Sequence, residues 1–429
     1  MVPTSRQDVA LSPRRAPSSR GWRGVPRALR EWLSDLTSAR VGVEPIASGT
    51  LTKVVGIWAI GRAVNLGLLW MFFEISRLAD LGFGPFGIHV RSFLTFLTGW
   101  DADHYLNIAR TGYPIRLPME EGIVQPNDWA FLPVLPFLER VGTDLTGVNE
   151  GIIGIIVSIA ASLGATLVLF LLLRRVTTPQ ASWWGIVLFT FAPLSFVYVL
   201  AYAESLFLLL VFTALLLAIK RQYLLILPVG VLAAYTRPGV LALALGLGIV
   251  FLVRWMQHRT DPFPWTQRLS LAASGIAIAA AGLSWTYIAD AVTGIPHAYV
   301  RTETAWWIPL VGTGDFVPMT PWFRFFGTYL NVFGILLVLA IMAAFAWWMF
   351  SKPTRKLGLV IVAYAASYGL YLFGVFLPQQ STFRLMMPLS PLLGDERFSS
   401  TQHRRQWLLL GCLGLQVVAV FLLWTIGYP

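Results

Sequence analysis

Apolar residues in this chain gather in repeated blocks of about 15 to 25, separated by shorter polar or basic stretches. A block of that length is what a helix needs to cross roughly 30 Å of hydrocarbon at 1.5 Å per residue. The pattern predicts crossings at 54–73, 151–173, 183–200, 204–219, 223–235, 239–253, 269–289, 325–350, 357–377, 383–394 and 407–426. Several of these are short or share a polar hinge, so about eleven crossings are expected, within a range of nine to twelve. The expected fold class is an all-α, polytopic integral membrane helical bundle. Residues 1–53 lack apolar periodicity and are rich in Pro, Ser and Arg, which predicts a largely disordered basic tail with one amphipathic turn near 28–36. The first apolar run begins near Val54, too late for the core of a cleaved signal, and reads as a signal anchor.

Composition agrees with one membrane domain over 54–429. Of the 429 residues 56% are hydrophobic and 12% charged, where a soluble protein carries about 25% charged residues; mean hydropathy is +0.67. The 18 Trp and 13 Tyr suit a protein with two membrane–water interfaces. The net charge of +11 would suit a nucleic-acid partner, but its placement argues for membrane orientation and against nucleic acid. With the N-terminus in the cytoplasm, every short turn on that side is basic: Arg174 and Arg175, Lys220 and Arg221, then Arg254, Arg259 and Arg268, then Lys352, Arg355 and Lys356, and last Arg397, Arg404 and Arg405. Two thirds of the carboxylates fall on the opposite side. The single cysteine, Cys412, can make neither an internal disulfide nor a thiolate metal cluster.

Two long outer loops result, at 74–150 and 290–324, and long loops in compact proteins are usually functional or mobile. The first contains Trp100-Asp101-Ala102-Asp103-His104-Tyr105, continuing to Gly112-Tyr113-Pro114. Local signals predict a short helix, with Asp101 as its N-cap, an apolar stripe of Tyr105, Ile108 and Ala109, and Gly112 and Pro114 ending it. Asp101 could serve only as that cap. Yet two carboxylates and a histidine within four residues at a membrane boundary are costly, and such groups are often functional. If Asp101 belongs to the extended lead-in, one carboxylate can face an acceptor hydroxyl while the other faces a phosphate, a metal or a backbone donor.

The string 100–114, followed by Ala130-Phe131-Leu132-Pro133-Val134-Leu135-Pro136, resembles the PIG-V family of dolichol-phosphate-mannose-dependent mannosyltransferases, membrane glycosyltransferases of the GT-C type. Tyr202-Ala203-Glu204-Ser205-Leu206-Phe207 is similar to a further family element. So are Thr236-Arg237-Pro238-Gly239, one residue short of its pattern, and Phe383-Arg384-Leu385-Met386-Met387-Pro388. The resemblance implies a GT-C bundle. It also implies inverting transfer of mannose from a polyprenyl-phosphate donor, at the outer face, to a glycan, lipid or protein acceptor. Asp101 is then the expected general base, with Asp103 as alternative. His104, Glu204, Arg237 and Arg384 are the expected donor- and substrate-binding residues, the two arginines as cations for the phosphate. Arg237 and Arg384 could equally snorkel to the interface, and Glu204 could answer only a helix dipole.

No cofactor is demanded. A divalent metal, if any, would fall to Asp101 or Asp103, and partners would be the lipid-linked donor, the acceptor and membrane lipids. Arg-for-Lys preference and Ala richness suggest a bacterial plasma membrane. Arg62, inside the first span, predicts an internal ion pair. The rival reading is a transporter or flippase for a lipid-linked sugar, which should show inverted repeats and charges near the midplane.

Overall fold

The computed structural model describes residues 36–37, 45–84, 87, 89–90 and 92–427. Most of the expected tail at 1–53, including the turn near 28–36, lies outside the described residues. The described chain is almost entirely helical, and its one sheet is a two-residue antiparallel hairpin, Met119–Glu120 with Ile123–Val124. Helix α1 spans Thr50–Leu78, α2 Asp101–Thr111, α3 Val134–Thr146, α4 Glu150–Leu173, α5 Pro179–Thr190, α6 Glu204–Ile219 and α7 Tyr223–Ala234. They are followed by α8 Val240–Met256, α9 Trp265–Thr293, α10 Ala298–Ala305, α11 Pro321–Phe350, α12 Leu359–Val375, α13 Thr382–Leu385 and α14 Gln402–Val420.

Of the eleven expected crossings, five lie on helices long and apolar enough to span a bilayer: Thr50–Leu78, Glu150–Leu173, Trp265–Thr293, Pro321–Phe350 and Gln402–Thr425. Four more, α6, α7, α8 and α12, are apolar but shorter. The protein is an integral membrane protein. Two expected crossings are broken. At 183–200, Pro193 lacks the N–H a helix interior requires, so α5 stops at Thr190 and a 3-10 turn, Ser195–Val199, follows. At 383–394, Pro388 and Pro391 give the short α13 and then a 3-10 segment, Met387–Gly394, rather than a continuous spanning helix.

Packing follows from which faces are small. Helix α4 buries Gly151, Gly154, Ser158, Ala161, Ser162 and Ala165, so α6 can approach closely; small residues at such interfaces favour association in a membrane. From there the bundle runs α6 to α7, α7 to α9, α9 to α8 and α8 to α12 as successive packed neighbours. In contrast, the outer surface of α11 is lined by exposed Val332, Phe333, Leu336 and Trp347, as expected of a lipid-facing helix.

The expected ion pair at Arg62 is replaced by other contacts. Its guanidinium donates to the backbone oxygens of Thr190 (2.9 Å) and Ser195 (3.3 Å), which the broken helix α5 leaves without helical partners. It also sits over the Tyr198 ring at 4.7 Å. The proline break thus supplies the two carbonyls that the intramembrane arginine uses.

Candidate active site

The entry to α2 is abrupt. Trp100 adopts φ 60°, ψ −122°, a conformation unfavourable for a bulky side chain. Its ring is held by an aromatic cluster, 5.2 Å from Phe83. Asp101 is therefore the first helical residue rather than the expected N-cap, and its N–H would be one of the unsatisfied donors of a helix start. The hydroxyl of Tyr202 accepts that N–H at 3.3 Å. Gly112, at φ 79°, ends the helix where expected, and Ala102, Tyr105, Leu106, Ile108 and Ala109 form its buried stripe.

This entry aims Asp101 inward. Its Oδ2 accepts from Arg384 Nη1 at 2.6 Å. The same Nη1 lies 3.2 Å from Glu204 Oε1, and Arg237 Nη1 reaches that oxygen at 2.8 Å. Arg384 is also stacked over Tyr202, 5.1 Å from the ring centroid. Four elements meet here: the start of α2, the start of α6, the turn between α7 and α8, and α13. Glu204, Arg237 and Arg384 are buried, whereas the Asp101 side chain keeps 26% of its surface exposed. Two carboxylates balance two guanidiniums, and the pair nearest solvent includes the candidate base. Glu204 in the first turn of α6 also faces the positive end of that helix. The dipole contact of Glu204 and its ion pairs therefore coexist.

The cations differ from the expectation in one respect. Neither Arg237 nor Arg384 snorkels outward as a lone cation; both are held by carboxylates within the bundle. The turn that carries Arg237 exists because Pro238 and Gly239 interrupt the apolar run. Gly239 has φ 120°, in the region that favours glycine.

His104 lies one turn along α2. Its Nδ1 is 2.7 Å from Asp128 Oδ1, and Asn107 Nδ2 donates to Asp128 Oδ2 at 2.5 Å. A carboxylate can only accept, so Nδ1 donates in this contact. The imidazole is stacked on Phe131, 4.4 Å between centroids, with Trp306 edge-on at 5.7 Å. Asp128 is buried on a 3-10 turn capped by Asn127, whose Oδ1 accepts the Trp129 N–H at 3.0 Å. Asp103 is exposed, on the side of Arg110 and His104, and stands apart from the Asp101 network.

Asp101, Glu204, Arg237 and Arg384 are thus brought together, His104 is placed beside them on α2, and Asp103 is turned away. Asp128 and Tyr202 went unnoticed in the sequence. The dipeptide Asn127-Asp128 before the Ala130–Pro136 element was the available signal for the first. Tyr202 lay inside a quoted motif, but nothing in its spacing marked it as the group that receives the Asp101 N–H. As for a metal, among the described residues no three His, Cys, Asp or Glu side chains converge. Asp101 is engaged by a guanidinium, and Asp103 lies outside that network.

An all-α membrane protein with a buried Arg–Glu pair and a half-buried Arg–Asp pair around the start of a loop helix defines the class of site, and sequence comparison narrows it. Residues 87–235 match the family model described as Mannosyltransferase (PIG-V), so the resemblance read from 100–114 and 130–136 is borne out over that segment. The human protein GPI alpha-1,6-mannosyltransferase 2 is 30% identical over 152 residues. That match covers 33% of this chain and 28% of the human protein's length. A crystal structure of ArnT from Cupriavidus metallidurans bound to undecaprenyl phosphate superposes with a TM-score of 0.47 at 15% identity. The superposition covers 87% of this chain and 64% of that one.

Proposed function

We propose that this protein is an inverting mannosyltransferase that moves mannose from a polyprenyl-phosphate donor to a glycan, lipid or protein acceptor at the outer membrane face. The observation that carries the reading is the Asp101 carboxylate, clamped by Arg384 at 2.6 Å yet partly open to solvent, within the segment matched to the mannosyltransferase family.

The chemistry needs one displacement. The acceptor oxygen attacks the anomeric carbon, the bond from that carbon to the phosphate oxygen breaks, and the polyprenyl phosphate leaves as a stable anion. Asp101 takes the hydroxyl proton through Oδ1, while Arg384 fixes the carboxylate through Oδ2. No general acid is required, unlike glycoside hydrolysis with its paired carboxyls. Arg384 and Arg237 offer their remaining N–H groups to the donor phosphate, and Glu204 keeps both guanidiniums in place between turnovers. His104, fixed by Asp128, presents Nε2 to a sugar hydroxyl.

The test is transfer from polyprenyl-phosphate mannose by purified protein. Asp101→Asn is expected to reduce turnover at least about 100-fold, the lower range for loss of a general base, with thermal stability in detergent retained. Near-normal turnover in that variant would remove Asp101 as the base, and Asp103→Asn is the companion that checks the alternative. Movement of a lipid-linked sugar across proteoliposomes without any new glycosidic bond would establish the transporter instead.

A further inference from the structure

Glu303 stands on α10, in the second long loop, outside the segment matched to the mannosyltransferase family. The helix that carries it is firmly seated. Asp290 accepts the N–H groups of His297 (3.0 Å) and Ala298 (2.8 Å) at its start, and Thr302 accepts from Asn127 at 2.9 Å. That last bond ties α10 to the turn bearing Asp128, so α10 is a fixed wall of the site rather than a free loop.

Glu303 is partly buried, with the Tyr299 phenol beside its carboxyl. It lines a cavity of about 80 Å³ with Pro238, Tyr299, Trp307 and Tyr371. Pro238 directly follows Arg237, so this cavity abuts the turn that presents Arg237 to Glu204. Trp307 and Thr304 also border a larger cavity of about 280 Å³, which contains Arg301, Asp315 and Arg324 and is closed on one side by the hairpin residues Gly122, Ile123 and Val124. The charged groups that act on Glu303 are Asp101 from α2 and Arg237 from the α7–α8 turn, with the phenols of Tyr299 and Tyr371 beside it. Among the described residues no cation lies within ion-pair distance of Glu303, whereas Asp101 and Glu204 each hold a guanidinium.

We infer that Glu303 is an acceptor-binding residue. Its carboxylate receives a hydrogen bond from a hydroxyl of the acceptor's terminal sugar in the small cavity, and the rest of the glycan extends into the larger one. The inference rests on the transferase reading and deepens it. A carboxylate without a cationic partner is a strong acceptor for neutral hydroxyls. An aromatic wall of Tyr299, Trp307 and Tyr371 suits the apolar faces of a sugar ring, and Arg301 and Asp315 supply polar contacts beyond it. Burial, with Asp101 adding to it and Arg237 opposing, pushes the Glu303 carboxyl up to about 7. Acceptor binding should therefore tighten as pH rises through that value.

The probe is n-octyl α-mannoside, titrated against the full-length protein in detergent by tryptophan fluorescence and used as acceptor with polyprenyl-phosphate mannose. Glu303→Gln and Glu303→Ala are expected to weaken probe binding at least fivefold at pH 8. The acceptor KM should rise about tenfold, with kcat and donor affinity within about threefold, and the pH dependence of binding near 7 should vanish. Unchanged probe binding in both variants, or loss of donor affinity equal to the loss of acceptor affinity, would overturn the assignment. If the wild-type protein binds the probe through Glu303 yet forms no glycosidic bond, the transferase reading fails while this binding site stands.

Discussion

Glu204 is the residue on which the charge balance of the site turns. A single oxygen, Oε1, lies 2.8 Å from Arg237 Nη1 and 3.2 Å from Arg384 Nη1 as their shared ion-pair partner, in a side chain that is 2% exposed. Removing one member of a buried charge network costs far more than the network contributes, because the partners stay buried without compensation. Glu204→Gln is therefore expected to destabilise the protein by about 3–5 kcal/mol, read as a lower midpoint in thermal unfolding in detergent. Replacing Arg237 by Met in the same protein should recover part of that loss. An unchanged midpoint in the single variant would show that the two guanidiniums find other acceptors. Asp101 differs, because it sits at the exposed end of the network, so Asp101→Asn separates chemistry from folding where Glu204→Gln cannot.

Among the elements, the turn between α7 and α8 shows most directly how backbone form places a functional group. Tyr235 closes α7, Pro238 forbids its continuation, and Gly239 starts α8 at φ 120° with the Tyr368 ring close by. A Cβ at Gly239 would lie 3.1 Å from Tyr368 Cε2 and in a backbone conformation that side chains rarely adopt. Gly239→Ala is thus expected to cost about 1–3 kcal/mol. It should lower the transfer rate more than Leu252→Ala, a change at an exposed position near the far end of the same helix. Equal effects of the two would detach the turn from the site.

The same turn marks the limit of what local pattern can show. Apolar blocks located nine helices to within a few residues, from α1 to α14, because backbone polar groups in an apolar surround must pair within the helix. The two failures, at 183–200 and 383–394, are places where proline chemistry overrides an apolar composition. The motif residues Asp101, Glu204, Arg237 and Arg384 were legible one by one. Their pairing was not, since the Asp101–Arg384 contact joins residues 283 positions apart. Arg62 illustrates the converse: a charge inside a span suggested a charged partner, yet carbonyls freed by a distant helix break serve it. Asp128, Tyr202 and Glu303 gain their meaning only from what the fold places beside them.

For the whole molecule, stability should depend on pH chiefly through a carboxyl outside the Asp101 network. Glu139 on α3 is fully buried against α4, where Gly154 leaves room for its carboxyl, and among the described residues neither of its oxygens has a hydrogen-bond partner. Burial, reinforced by Glu150 and opposed by Arg110, pushes it up to about 9. The unfolded chain releases that proton near 4.3, so between those two values the folded state binds more protons than the unfolded state. Stability then falls as pH rises through that window, being greatest below about 4.3 for this group and most reduced above 9. Glu303, raised to about 7, adds a change of the same sign over a narrower pH window. Glu139→Met removes two unsatisfied oxygens at nearly constant volume, which is worth about 1–3 kcal/mol. The variant should be more stable than the parent at pH 8, less so at pH 5, and its profile across that range should be flatter. Parallel pH profiles for the two proteins, measured by thermal unfolding in detergent, would mean that this carboxyl finds water or a cation in the folded protein. In that case α3 would have to be packed more loosely on α4 than its complete burial of Glu139 implies.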